Sequence, residues 1–435
     1  MTVTVPENRS TRGGRRVQLS VILVPASNPQ ARGAPIVILP GGPGGEITGQ
    51  AAAWSRFLRE VRGDHPLLFM DPRGTGSSSP LDCEFTNPER MSGHVRDFLP
   101  PDHVRRCRQA LSARADLTQY TSEQVAQDLD DVRAALGFER LIPYGTSGGT
   151  RLSLMYLKRF PQRVEAMILA GMVPLSFRMP MHYAPDTDAA FDSLVAACDA
   201  EVRCARAYPR LRQRTDSLLR ALARRPVVVA LPFVDGRDSA RISAGIFAER
   251  LRTLMYNSET AASIPYIVDR ASKGEFQPFV SSLVAANRRQ GRTISMGHFL
   301  SATCSEDVPR VHVDSARAMA RGTILGMYRV DQQLGACRTW PRNQLPDDHF
   351  LPVRSDVPVL FISGDADPVT PPYWADAARA DLPNSAHAVF RGAAHGPVAT
   401  PCATSLAARF LATRAPGRLD LSCASSNHRP EFQIR

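Results

Sequence analysis

The sequence predicts an α/β protein: a mostly parallel sheet flanked by helices, with a helical insertion in its second half. Three observations predict it. Short apolar runs bounded by Gly and Pro alternate with helical patterns toward both ends of the chain. Between about residues 175 and 350 that alternation stops and helical text takes over. Three glycine-rich stretches each follow a predicted strand, which is where open α/β sheets place their sites.

The elements follow in order. VQLSVILV (17–24), PIVILP (35–40) and HPLLFMD (65–71) read as buried strands. Residues 121–136 read as a helix: Thr121 and Gln124 form a capping box, Val125, Leu129, Val132 and Leu136 share one face, and Gly137 ends it. RLIPYG (140–145) is the next strand, TRLSLMYLKRF (150–160) a buried helix stopped by Pro161, and VEAMILAG (164–171) a further strand. Pro143 cannot donate to a central ladder, so an irregularity is expected there. Beyond the insertion, VPVLFISG (357–364) and SAHAVFRG (385–392) resume the strand pattern, and CATSLAARFLAT (402–413) is a helix. The expected division is a core made of 1–174 and 351–423, an insertion at 175–350, and a poorly ordered tail over 424–435.

Composition narrows the function. The chain has 435 residues, 43% hydrophobic and 22% charged, as a globular protein with a sizeable core has. No apolar run reaches the roughly 18 residues of a spanning helix, so no membrane partner is expected. The net charge of +11 rests on arginines scattered along the chain, with only Lys158 and Lys273 as lysines. Nucleic-acid binding concentrates its charge in a patch, so no nucleic-acid partner is expected either. Neither a CxxC nor an HExxH occurs, and no metal or cofactor is expected. The eight cysteines fall into local couples, Cys83 with Cys107, Cys198 with Cys204, Cys304 with Cys337 and Cys402 with Cys423. An even count in local couples fits an oxidising compartment, although sequence alone does not fix connectivity. A secreted or periplasmic location is therefore expected. No leader is visible: Arg12, Arg15 and Arg16 before VQLSVILV imitate one, but Gln18 and Ser20 interrupt the run. An exported form has lost its leader or carries it upstream of Met1.

The chemistry gathers on the glycine-rich stretches. Gly145-Thr146-Ser147-Gly148-Gly149 lies between a strand and a buried helix, the context of a G-x-S-x-G nucleophile elbow, with Ser147 as the nucleophile. A serine needs a base and the base an orienting carboxylate, in the order Ser, acid, His. The strand 357–364 runs into Asp365 and Asp367; Asp367, further along the turn, is preferred as the acid and Asp365 as a turn or cap residue. Of the histidines that follow, His387 lies in a strand and His428 in the tail, whereas His395 sits on a small-residue loop after a strand and is the expected general base. An oxyanion needs two N–H donors. Gly148 offers one. Pro40-Gly41-Gly42-Pro43-Gly44-Gly45 offers the other at Gly42, with Gly41 second, since Pro43 has none. That loop lacks the Lys-Ser/Thr of a phosphate cradle. Asp71 and Arg73, in DPRGTGS, are expected to form an internal ion pair that fixes their loop.

GGPGG, DPRGTGSSSP, YGTSGGT, CSEDVPR, CRTWP, GDADPVTPP and AAHGP, in this order and after an opening VPENRS, resemble α/β-hydrolases of the proline iminopeptidase and tripeptidyl aminopeptidase type. The resemblance runs over nearly the whole chain. It implies the α/β-hydrolase fold with an inserted helical cap, a serine hydrolase cleaving short peptides from a free amino terminus, export, and paired cysteines. It supports Ser147, Asp367 and His395 position by position. Two departures bear on the acyl site and on prolyl specificity: Gly148 stands where the family usually has a bulky aromatic, and Pro40 where the iminopeptidases have histidine. Glu306, in CSEDVPR just after Cys304, is the candidate to hold the substrate's amine. The expected partner is a small peptide or ester substrate. The alternatives are a carboxylesterase or lactonase with the same triad, and a scaffold that binds without turnover.

Overall fold

Hydrophobic runs of four to nine residues alternate between two faces and assemble one sheet of eight strands. The computed structural model describes residues 1–434 apart from 12, 84–94, 232–237 and 291–293. In chain order the strands are β1 (Thr2–Pro6), β2 (Arg16–Val24), β3 (Ile36–Leu39), β4 (Leu67–Met70), β5 (Ile142–Thr146), β6 (Met167–Ala170), β7 (Val227–Leu231), β8 (Asp238–Ile242), β9 (Val359–Gly364) and β10 (Ser385–Phe390). The large sheet has the order β1-β2-β4-β3-β5-β6-β9-β10; β7 and β8 pair separately. In the large sheet β1, β2 and β4 pair antiparallel and every further pairing is parallel, whereas β7 and β8 pair antiparallel. The fold is α/β, as the sequence predicts; the short β1 and the β7–β8 pair are the strands that the sequence reading passes over.

Strand period explains the layers. Along β3, Ile36 and Ile38 join Phe69, Tyr144, Phe390 and Phe410 on one face. Val37 and Leu39 join Leu68, Leu129, Leu154 and Phe361 on the other. A parallel sheet buried on both faces reads as continuous apolar sequence for this reason. Helices α1 (Ser122–Ala135) and α2 (Gly148–Arg159) cover the second face. The irregularity expected at Pro143 is present. Leu141 bridges Val164, but Tyr144 already pairs with Ile168, so residues 142 and 143 face three residues, 165 to 167. The bulge lies where proline has no N–H to give.

Between β6 and β9 none of the described residues adds a strand to this sheet. Among its helices are α3 (Ala244–Leu254), α4 (Met296–Glu306) and α5 (Tyr328–Cys337). They bury a third apolar cluster around Phe177, Tyr183, Phe191, Phe247 and Leu300. α6 (Pro401–Thr413) then returns to the first sheet face through Leu406 and Phe410.

Three local expectations are corrected. The capping box does not close: the Thr121 hydroxyl and the Gln124 side-chain carbonyl have no hydrogen-bond partner. The Glu306 carboxylate, reaching across from α4, accepts the Ser122 N–H at 2.5 Å in its stead. Asp71 and Arg73 do not pair with each other. Asp71 accepts the N–H groups of Ile47, Thr48 and Ser77, while Arg73 forks onto Asp128 through two 2.6 Å bonds. Both residues do fix loops internally, through separate partners. The segment 424–434 is not loose either: Phe432 is buried in the third cluster and the Gln433 N–H donates to the Ala262 carbonyl; residue 435 lies outside the described residues.

The cysteines pair as 83–107, 198–204, 304–337 and 402–423, and all eight are used. Cys198, Cys204 and Cys304 are fully buried. Alkylation of the folded protein without reductant is therefore expected to modify no cysteine, and all eight after reduction and unfolding, as read by intact mass. Replacing both members of the 304–337 pair with alanine should cost roughly 2–4 kcal/mol in denaturant unfolding, the usual range for closing such a loop.

Candidate active site

The turn from β5 into α2 places Ser147. Its backbone is forced to φ 52° and ψ −123°, and its N–H donates to the Ala170 carbonyl at 2.7 Å. A non-glycine residue tolerates positive φ only when its surroundings over-determine it. Here glycine neighbours do so. A Cβ at Gly149 would stand 2.1 Å from the Leu39 carbonyl oxygen, and one at Gly145 2.5 Å from the Gly149 oxygen. Only bare backbone lets β3, β5 and α2 approach this closely. The loop after β3 closes on the same turn. A Cβ at Gly41 would meet the Ser147 Cβ at 3.1 Å, and one at Gly148 the Gly42 carbonyl at 3.0 Å. The tightness at Gly148 gives a physical reason for glycine at this position.

Loops after β9 and β10 supply Asp367 and His395. The Asp367 Oδ2 lies 2.7 Å from His395 Nδ1. Its Oδ1 accepts the N–H groups of Val369 and Thr370, each at 2.9 Å. Burial pushes the Asp367 pKa up, but His395 and the Thr370 bonds outweigh it and hold the carboxyl below the ordinary aspartate value. Thr370 is a residue the sequence reading did not single out. Its hydroxyl donates to Asp367 Oδ2 at 2.8 Å and lies 3.1 Å from His395 Nδ1. Its signal was faint: a threonine three residues past the chosen acid, within GDADPVTPP. Gly171, at φ 67°, leaves room for the ring, since a Cβ there would sit 3.2 Å from His395 Cε1. Asp365 caps the Gly392 N–H, and His387 is tied to Asp376 and Ser363, so neither reaches this group.

Ser147, His395, Gly41 and Gly42 line one cavity of about 500 Å³. The insertion contributes its far wall, with Arg250, Arg252, Tyr256 and Arg329 among the lining residues. In sequence these arginines are indistinguishable from the scattered surface arginines.

The chain matches the alpha/beta hydrolase fold family over residues 34–249 and a family described as TAP-like protein over residues 322–423. This chain is an α/β-hydrolase. Among its curated relatives, the serine protease Hip1 of Mycobacterium tuberculosis is 26% identical over 411 residues, covering 85% of this chain and 76% of that protein. The tripeptidyl aminopeptidase of Streptomyces coelicolor is 24% identical over 469 residues, covering 97% and 82%. Carboxylesterase B of Mycobacterium tuberculosis is 33% identical over 188 residues, covering 40% and 35%.

In this hydrolase Glu306 does not line the Ser147 cavity but a smaller pocket beside it, with Gly41 and Gly148, and its oxygens are already engaged. One accepts the Ser122 N–H, and the other lies 3.3 Å from Arg151. Arg151, on α2, also forks onto Asp307 at 2.8 and 3.1 Å and donates to the Phe177 carbonyl. Burial raises the pKa of Glu306, while Arg151 and the Ser122 N–H pull it back. All three charged groups are buried. Glu306, the residue expected to hold the substrate's amine, thus caps α1 and bolts the insertion to the core. Arg151→Leu strands two buried carboxylates. It is expected to cost about 3–5 kcal/mol in urea unfolding, the usual penalty for breaking a buried pair from one side. A loss under 1 kcal/mol would show that the cluster holds nothing together.

Proposed function

We propose that the protein is a serine hydrolase in which Ser147 is the nucleophile, His395 the general base and Asp367 the group that orients His395. The observation that carries this reading is the 2.7 Å Asp367–His395 contact at the cavity that the strained Ser147 also lines. His395 takes the serine proton as the oxygen attacks the carbonyl carbon, then returns it to the leaving amine. Water, deprotonated by the same imidazole, frees the acid from the acyl-enzyme and restores Ser147. The N–H groups of Gly42 and Gly148 hold the oxyanion. The contact between these two backbones in the fold, and the α2 amino terminus behind Gly148, support that pairing. Thr370 keeps the Asp367 carboxylate turned toward the ring.

The substrate class is a short peptide with a free amino terminus, cleaved beneath the insertion acting as a cap. The near full-length similarity to a tripeptidyl aminopeptidase and the TAP-like segment support this choice over a simple esterase. Four disulfides support an exported enzyme. An aminopeptidase needs an anion to hold the ammonium group. Glu46 and Glu249 line the cavity, and Glu249 is spent on arginines. Glu46 accepts the Gly49 N–H at 3.0 Å and a 3.4 Å bond from Gln50, and is only partly buried. It is the carboxylate left for the amine.

Ser147→Ala should lower turnover by on the order of a million-fold, as nucleophile loss does in a related mechanism. A fluorophosphonate probe should label the wild type at Ser147 alone; labelling that survives the substitution refutes the assignment. Glu46→Gln should weaken kcat/KM for free-amine peptide anilides by about 1.5–3 kcal/mol relative to their amine-blocked twins, the range for a hydrogen bond to a charged group. A wild type that prefers blocked amines or simple esters would transfer the reading to an esterase.

A further inference from the structure

The cap-side wall of the cavity is cationic in a way that the proposed chemistry does not use. α3 places Glu249, Arg250 and Arg252 along the cavity, and α5 adds Arg329. One Glu249 oxygen accepts Arg252 Nη2 at 2.7 Å and Arg329 Nη1 at 3.1 Å; the other accepts Arg252 Nε at 3.0 Å. One negative charge is therefore shared by two buried arginines, which leaves the trio with a net positive charge. The Arg329 Nε is buried and has no hydrogen-bond partner. Arg250 adds a further cation. Its guanidinium makes no hydrogen bond or ion pair among the described residues, although it lines the same cavity. Burial lowers its pKa, and Arg252 and Arg329 add to that effect against the pull of Glu249. Arginine keeps its proton under such conditions, so an anion that enters the cavity finds an unpaired guanidinium on its wall.

We propose that Arg250, with Arg329 beside it, is a carboxylate-binding subsite, and that the enzyme selects short peptides carrying an anionic group in the cavity they share with Ser147. This rests on the serine-hydrolase reading for what happens to the bound peptide, but not for the binding itself. The guanidinium fork matches a carboxylate in shape and charge. Two sources present that group to a cavity of this size: an acidic side chain, and the free carboxyl end of a peptide a few residues long.

The test uses the full-length Ser147→Ala protein, which keeps the cavity and should not consume its ligand. Calorimetry compares Ala-Ala-Ala with its carboxamide, and Ala-Glu-Ala amide with Ala-Gln-Ala amide. At least one anionic member should bind about ten- to hundredfold more tightly than its neutral twin, in line with a hydrogen bond to a charged group. The pair that shows the difference identifies the source. Arg250→Met in the same background should bring that ratio to about one, and Arg250→Lys should keep part of it. Absence of preference in both pairs, or a preference that survives Arg250→Met, overturns the proposal. Turnover that survives Ser147→Ala overturns the nucleophile assignment alone, and the same ratios, then read as kcat/KM, still decide on Arg250.

Discussion

The site depends on one steric constraint: backbone meets backbone where β3, β5 and α2 converge. The Leu39 carbonyl and Gly149 leave no room for a Cβ, and Gly145 lies as tightly under Gly149. That approach makes the turn at Ser147 too sharp for ordinary dihedrals, and the hydrogen bond from Ser147 to Ala170 pins it there. The loop after β3 can then touch the turn itself. Widening any of these contacts by one methyl group would relax the strained serine, separate Gly42 from Gly148, and spoil a geometry that no side chain elsewhere restores.

A second constraint joins the two parts of the chain. The insertion's described residues contribute no strand to the sheet, so apolar packing alone would let them settle in several ways. Buried charge removes that freedom. Arg151 leaves the core on the helix that starts at Ser147 and meets Glu306 and Asp307 from α4. Glu306 in turn supplies the cap that Thr121 withholds from α1. Buried ion pairs add little net stability, but their geometry is exacting. Here they set the distance between the wall that carries Arg250 and Arg329 and the wall that carries Ser147.

The sequence made the core legible because the signals there are local. Apolar runs, glycine punctuation and the order Ser147, Asp367, His395 each read within a few residues, and even the fault at Pro143 follows from one missing N–H. What stayed illegible was every choice between partners of like chemistry. Arg73 takes Asp128, 55 positions away, over the aspartate two residues before it. Glu306 finds Ser122 across 184 positions. Thr121 and Gln124 hold the spacing of a capping box without closing it, and the charged acceptor at that helix end, Glu306, takes the Ser122 N–H. Thr370 went unnoticed since a hydroxyl beside an acid carries no pattern until the loop is folded.

The same partner logic bears on how the cavity tells one end of a substrate from the other. A carboxylate that accepts three bonds from two guanidinium groups has no net charge to offer, so Glu249 is electrostatically an extension of the arginines around it. Among the described lining residues, unspent negative character lies on the core side, at Glu46 beside the glycine loop, and positive character on the insertion. On the proposed reading, a short peptide then meets opposite signs at its two ends. Reversing it would bring ammonium to Arg250 and carboxylate to Glu46, each unfavourable in a partly dry cavity where charges are weakly screened. Such a field orients the chain before any backbone contact is made. Where the carboxyl end is the anion that Arg250 binds, it also penalises a long peptide, whose carboxyl end lies far beyond Arg250 and leaves that cation without its counter-charge. A limit on length therefore requires no closed end to the cavity, only a charge in the right place.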